Sequence, residues 1–218
     1  MSNVLQSAVT AHGLTKRGVF GPVDLDVPAG GLTVLQAPAG RARTCLLLTI
    51  AGRMRPTAGT LSVFGATKPK QVFARAAIGA VDEVDEVYDA VTVGALVTEK
   101  LRWDAPWYRL VPARTRSVAE VCGPVFGPLG VPDAGTYVED LDEKDVFLLR
   151  VALANTRRRP LLVVGDVDRL SSDDDQATVL ERLADLGRTQ TVLAATSNPV
   201  GDFGQRRTIS IDESEGTN

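Results

Sequence analysis

A strand, a loop of small residues and a helix follow one another directly between Leu32 and Gly52. Leu32–Gln36 reads as a short buried strand, and Leu46–Gly52 is the apolar part of a helix. A loop in this position can hold phosphate, because the first N–H groups of a helix are unpaired and point towards a bound anion. Two interpretations stay open for the loop: a phosphate-binding site, or a connection with a purely structural role.

The last third of the chain also alternates strands with helices. Leu161–Val164 is a continuous apolar run, which is typical of a parallel strand buried on both faces, and Thr191–Thr196 is a second such run. Ser172–Leu186 lies between them and is an amphipathic helix with an acidic first turn. Val23–Val27 alternates strictly, as a half-buried antiparallel strand does. We therefore predict an α/β fold, with a mostly parallel sheet flanked by helices and a small antiparallel β layer.

The middle of the chain differs in character from the parts on either side. Its helical segments, around 92–102 and 115–121, are short and interrupted by Pro and Gly. We predict an inserted helical subdomain at 88–140, a single α/β core made of 1–87 and 141–212, and a flexible tail at 213–218. Three large aromatic residues, Trp103, Trp107 and Tyr108, either anchor an interface or fill the small core of this subdomain.

Composition excludes several classes of function. A net charge of −3 and a pI near 5.3 argue against nucleic-acid binding through bulk charge. The single histidine, His12, leaves little room for a histidine-based metal site or catalytic triad and is expected to be a partly exposed strand residue. Cys45 and Cys122 indicate reduced thiols in a cytoplasmic protein. We expect neither a secretory signal nor a membrane-spanning helix.

The order and spacing of seven segments resemble the ATP-binding cassette (ABC) ATPase domain over nearly the whole chain. The most specific match is Ala51–Thr60, which resembles the stretch after the first helix of the family. Leu161–Asp166 resembles the Walker B strand, and Arg150–Ala154 resembles the helix after the signature motif. The resemblance implies a P-loop NTPase-like ABC ATPase fold, with ATP and Mg²⁺ as ligands. The other matching segments are Val27–Leu32, Ile78–Val81, Val91–Val93 and Thr191–Thr196.

The resemblance also implies a set of phosphate-binding residues in the first loop. Arg43 takes the position of the family lysine that holds the β- and γ-phosphates, and its planar fork is bulkier than an ammonium group. Thr44 and Asp166 take the positions of the Mg²⁺ ligands. Ala37 and Ala42 replace glycines, so we expect a reshaped loop. The expected nucleotide-binding residues are Ala39, Gly40, Arg41, Ala42, Arg43, Thr44 and Cys45, and the Arg-Thr pair is similar to that of short actinobacterial cassette proteins.

The positions at which the family carries its catalytic groups depart from the pattern. Val167 stands where the family has its catalytic glutamate, and valine cannot act as a general base. Asp168 is expected to point away from the side that Asp166 faces and to be a solvated turn carboxylate. Ser197 replaces the switch histidine. The acidic segment Leu141–Asp145 replaces the glycine-containing signature and would repel a triphosphate.

Two further family positions are altered. Glu83 stands where the Q-loop glutamine is expected, inside an acidic stretch that is predicted to be a solvated loop. Phe20 is the candidate for stacking on adenine. No residue is therefore assigned a catalytic role.

We predict a protein that resembles the nucleotide-binding subunit of an ABC transporter but has degenerate catalytic motifs. In this interpretation it is a pseudo-ATPase that docks on a membrane partner and binds ATP without turnover, if at all. The alternative is a divergent but active ATPase subunit that powers a transporter. The resemblance implies an integral membrane protein and a second cassette subunit as partners, no nucleic acid, and a cytoplasmic location at the inner face of the membrane.

Overall fold

The computed structural model describes residues 7–82, 84–105 and 117–199, together with the backbone of 205–208. Eight strands lie within these ranges. They are β1 (Ser7–Lys16), β2 (Phe20–Pro28), β3 (Gly31–Gln36), β4 (Ala58–Val63), β5 (Ala76–Gly79), β6 (Leu161–Val164), β7 (Thr191–Thr196) and β8 (Gln205–Thr208).

Six α-helices lie in the same ranges. None of the helices in the described part of the chain is both long enough and apolar enough to cross a bilayer. They are α1 (Arg41–Ile50), α2 (Pro69–Arg75), α3 (Val93–Asp104), α4 (Val118–Phe126), α5 (Glu143–Ala154) and α6 (Asp173–Gly187).

The strands form two sheets. The larger sheet has the order β5-β6-β7-β3-β8, and all its pairings are parallel. The smaller sheet has the order β2-β1-β4 and is antiparallel. The predicted α/β fold, with a parallel sheet, helices and a small antiparallel layer, is confirmed.

Both faces of the parallel sheet are covered, which explains the continuous apolar runs of its strands. Leu162 and Val164 of β6 face one core, which also contains buried residues of α4, α5 and α6. Leu161 and Val163 of the same strand face a second core, which contains α1 and the inward side chains of the antiparallel sheet. The alternation of a strand's side chains thus joins two separate apolar layers.

Helices α3 and α4 lie between β5 and α5 in the chain. Thr92 caps α3, and Ser117 and Glu120 form a reciprocal capping box at the start of α4. The helix expected around 115–121 therefore begins only at Val118 within the described residues. Trp103 lies near the end of α3 and is 77% exposed, so it does not fill the subdomain core.

The remaining sequence predictions concern residues away from the loop before α1 or outside the described part of the chain. Phe20 is fully buried against the antiparallel layer, so the prediction that it stacks on adenine is wrong. His12 is exposed on β1. Trp107, Tyr108, Glu83 and the expected tail at 213–218 lie outside the described residues.

Candidate phosphate-binding site

The loop between β3 and α1 lies at the carboxyl ends of the parallel strands, where α/β sheets hold their ligands. Ala37 is buried, and its N–H donates to the carbonyl of Thr196 at the end of β7, at 3.0 Å. Gly40 precedes α1 with φ 136°, a conformation that side chains rarely allow. Helix α1 therefore begins with its first N–H groups at this edge of the sheet.

The seven predicted binding residues differ in their exposure, and Thr44 is half-buried. Ala39, Gly40 and Arg41 are exposed, whereas Ala42 and Cys45 pack into the core beneath α1. The latter two side chains therefore point away from the loop, and only their backbones lie near it.

Arg43 is the unusual member of this loop, because its side chain is only 1% exposed. Its Nη2 donates to Oδ1 of Asp166 at 2.8 Å and lies 3.0 Å from Oδ1 of Asp168. Its Nη1 donates to the carbonyl of Ala37 at 3.1 Å. The guanidinium therefore lies beneath the loop and joins it to the segment after β6.

The two aspartates reach Arg43 because the chain turns sharply after β6. Asp166 has a left-handed backbone with φ 49°, and Val167–Arg169 forms a 3₁₀ turn. The prediction that Asp168 points away from Asp166 into solvent is wrong, since the alternation of an extended strand does not apply in such a turn. Both carboxylates are buried and both contact the same guanidinium.

Asp168 also accepts a hydrogen bond from Oγ of Ser197, at 2.5 Å. Burial alone would raise the pKa of Asp168. The hydrogen bonds from Ser197 and Arg43, together with the charge of Arg43, outweigh that effect and hold the pKa below its usual value. Asp168 is consequently an ionised partner of Arg43 at neutral pH.

The acidic stretch after β5 is held by ion pairs. Arg150 of α5 donates to Asp82 at 3.1 Å and to Asp85 at 2.8 Å, and Arg169 lies 2.6 Å from Asp82. The N–H of Asp82 donates to Oδ2 of Asp166 at 3.0 Å. The prediction of a solvated acidic loop is therefore wrong for Asp82 and Asp85.

The segment that replaces the signature motif begins a helix. Asp142 caps α5 by accepting from the N–H of Asp145, at 2.9 Å. Glu143 accepts from the N–H and the hydroxyl of Ser171, and these bonds lower its pKa. Helix α5 therefore starts at Glu143, because Asp142 supplies the cap.

Two contacts of this arrangement were not predicted from the sequence: Asp168 pairs with Arg43, and Ser197 donates to Asp168. The signal was present, since an arginine at the lysine position needs a buried anion and two aspartates follow β6.

The arrangement does not fit a Mg²⁺ ion between Thr44 and Asp166. Both carboxylate oxygens of Asp166 already accept hydrogen bonds, from Arg43 and from the N–H of Asp82. The hydroxyl of Thr44 donates to the carbonyl of Gly40 at 3.4 Å. Among the described residues no three His, Cys, Asp or Glu side chains cluster as metal ligands. The unpaired N–H groups at the start of α1 are the groups that remain for an anion.

Comparison with known proteins agrees with this architecture. No protein-family model matches the chain. A segment is 32% identical over 101 residues to the sulfate/thiosulfate import ATP-binding protein CysA of Mycolicibacterium paratuberculosis. The match covers 46% of this chain and 28% of that protein, so the chain spans well under half of the relative's length.

Solved ABC cassettes superimpose over most of the chain. The dimeric bacterial ABC transporter cassette MJ0796 matches with a TM-score of 0.72 at 15% identity, covering 94% of this chain and 95% of that one. Its post-hydrolysis state with ADP and Pi matches with a TM-score of 0.71 at 17% identity, and the match covers 94% of this chain and 95% of that one. The ADP form of the cassette MJ1267 matches with a TM-score of 0.68 at 13% identity, and the match covers 89% of this chain and 83% of that one.

The parallel sheet, its helices and the small antiparallel sheet together define an α/β fold. Within that class the fold is that of an ABC transporter ATPase domain, and the resemblance to this family predicted from the sequence is confirmed.

Proposed function

We propose that this protein is a pseudo-ATPase, a nucleotide-binding-subunit-like cassette that docks on an integral membrane protein without hydrolysing ATP. The observation that carries the proposal is the buried ion pair of Arg43 with Asp166 and Asp168. In this proposal the guanidinium takes the place of the metal ion and links the loop before α1 to the segment after β6.

The energetics of the ion pair favour a site closed to Mg²⁺. A metal ion could reach Asp166 only if Arg43 left it, and breaking a buried pair costs about 3–5 kcal/mol. Such a cost weakens metal binding roughly 100- to 4,000-fold. Nucleotide that binds here would therefore contact the N–H groups at the start of α1 without a metal ion.

The groups that could activate water support the same proposal. Val167 is apolar and 1% exposed. Asp168 follows Val167 directly in the chain, but its lowered pKa and its bonds to Arg43 and Ser197 make it a weak general base.

Docking is supported by a surface groove between α3, α5 and the end of β5. Its apolar lining includes Val87, Leu96 and Leu153, and Trp103 is exposed at its edge. Exposed aromatic side chains of this kind are enriched at interface anchors. Because solved cassettes with this fold include a dimer, we propose a second cassette subunit as a further partner and a cytoplasmic location at the membrane.

Titration with a fluorescent ATP analogue, with and without Mg²⁺, tests the nucleotide part of the proposal. We expect the affinity of the wild type to be independent of Mg²⁺. Arg43→Lys, which removes the fork that joins the two aspartates, should introduce some Mg²⁺ dependence, whereas Arg41→Lys in the same turn should not. A wild-type affinity that Mg²⁺ raises tenfold or more would support the alternative, a divergent but active ATPase.

Sedimentation with membranes of the native host tests the docking part. We expect Trp103→Ala to reduce the membrane-bound fraction and Leu129→Ala, a matched change at another exposed apolar residue, to leave it unchanged. Equal fractions for both variants would refute docking through the groove.

A further inference from the structure

Two arginines converge on one aromatic ring at the amino ends of the parallel strands, far along the strands from the loop before α1. Gly52 lets this happen, since it has φ +73° and a Cβ there would lie 2.6 Å from the backbone nitrogen of Phe73. The end of α1 can therefore approach α2 closely. Arg53 follows directly, and Arg159 arrives from the segment before β6.

The two guanidinium groups share their contacts. Their central carbons lie 4.2 Å (Arg53) and 5.0 Å (Arg159) from the centre of the Phe73 ring. Nη1 of each arginine donates to the carbonyl of Ala76 at 2.9 Å. The other acceptors of these two Nη1 atoms are also carbonyls, those of Ala51 and Phe73. Two positive charges are thus held side by side by neutral acceptors.

No carboxylate within the described residues forms an ion pair with either arginine. Burial and the charge of Arg157 lower the pKa of Arg159, and the charge of Asp104, which is paired with Arg157, only partly offsets them. Arg75, two residues after Phe73 in the chain, also donates hydrogen bonds to backbone carbonyls, those of Val63 and Phe64. Burial, followed by the charge of Arg159, lowers the pKa of Arg53 to about 10. An anion between the two guanidinium groups would relieve this repulsion.

The remaining donors of both arginines are available. In the described part of the chain, Nε and Nη2 of Arg53 and Arg159 make no hydrogen bond. None of these four nitrogens is among the buried side-chain atoms that lack a hydrogen-bond partner, so all four are accessible to solvent. A guanidinium fork of this type matches the oxygens of a phosphate in a bidentate manner. Phe73, whose ring is partly exposed, fixes the orientation of both forks.

We propose that Arg53 and Arg159 form a binding site for a phosphate group, separate from the loop before α1. The site lies where β5 and β6 begin, whereas the loop lies where the strands end. The ligand is a phosphate monoester or inorganic phosphate, free or as a phospholipid headgroup, since both arginines recognise the phosphate itself.

Side-chain NMR of the arginine Nε–Hε groups tests the site directly. Inorganic phosphate is titrated at constant ionic strength, with chloride as the reference anion. We expect saturable shifts of the Arg53 and Arg159 signals and about a tenfold or larger loss of affinity in Arg159→Gln, since each charge-assisted bond is strong. Arg102→Gln, a change of an exposed arginine on α3, should leave the affinity unchanged.

A second variant keeps the test informative if Arg159→Gln unfolds. Arg159→Lys retains the charge but loses the fork, so it should fold and bind phosphate more weakly. Shifts confined to the backbone of 40–44, or equal shifts with chloride, would overturn the proposal.

Vesicles separate the two sources of phosphate. Binding to phosphatidic acid vesicles that is much tighter than to phosphatidylcholine vesicles, and that Arg53→Gln abolishes, assigns the site to a headgroup. Binding of free phosphate without a preference for phosphatidic acid assigns it to a small ligand. Binding in neither arm overturns the proposal.

Discussion

Replacing Arg43 by alanine should destabilise the protein far more than a change of any exposed arginine. The substitution removes the cation shared by Asp166 and Asp168 and leaves two carboxylates in a buried environment. It also removes the donor to the carbonyl of Ala37 and opens a cavity beneath the loop.

The magnitude follows from the burial of the pair. Removing one partner of a buried ion pair costs about 3–5 kcal/mol. The side chains are 1% (Arg43), 8% (Asp166) and 6% (Asp168) exposed, so solvent screens the lost interaction little. For a domain of this size each kcal/mol shifts the melting temperature by roughly 2–4 °C, which gives a decrease of about 6–20 °C.

Urea denaturation followed by circular dichroism, with a thermal scan, measures this change. Arg41→Ala is the matched control, because Arg41 lies in the same turn of α1 and is exposed, and we expect it to change the free energy of unfolding by less than about 0.5 kcal/mol. If Arg43→Ala were destabilised by no more than the control, the guanidinium would not be the link that we infer.

Two further substitutions test other parts of the structure. Asp168 has a lowered pKa in the folded state, so its ionised form stabilises the protein above the pKa of the unfolded chain, near 3.8, and this effect is lost as the pH falls through the pKa of the folded state. Asp168→Asn should therefore be less stable than wild type at pH 7. Urea titrations should show that the difference in the free energy of unfolding between the two proteins narrows below pH 4. Asp142→Ala removes the cap of α5 and should lower the free energy of unfolding by about 1 kcal/mol in the same assay, whereas Asp142→Asn should keep most of the stability that the cap provides. An equal loss of stability in both variants would contradict the capping role.

The sheet could be predicted from the sequence because its strands are buried on both faces. Leu161–Val164 and Thr191–Thr196 must be apolar at every position to sit between two layers, and this leaves an unambiguous pattern. The antiparallel strand around Val23 could also be predicted, because one of its faces is less buried and its apolar and polar residues alternate.

The site was harder to predict because it depends on backbone geometry that the sequence pattern does not show. The left-handed conformation of Asp166 and the turn that follows bring Asp168 to Arg43, contrary to the rule for an extended chain. The side chain of Arg43 likewise points inward because it pairs with Asp166 and Asp168, which lie more than a hundred residues further along the chain. The cap of α5 by Asp142 was likewise not predicted, because Leu141–Asp145 was interpreted only as a replacement of the signature motif.

Phosphate release from ATP by the purified protein, in the presence of Mg²⁺, tests the proposed absence of hydrolysis most directly. We predict no release above a protein-free control for the wild type, and none for Val167→Glu, because restoring one carboxylate leaves Arg43 on Asp166 and provides no partner for the γ-phosphate. Mg²⁺-dependent turnover by the wild type that Asp166→Asn abolishes would contradict the proposal and identify a divergent but working ATPase.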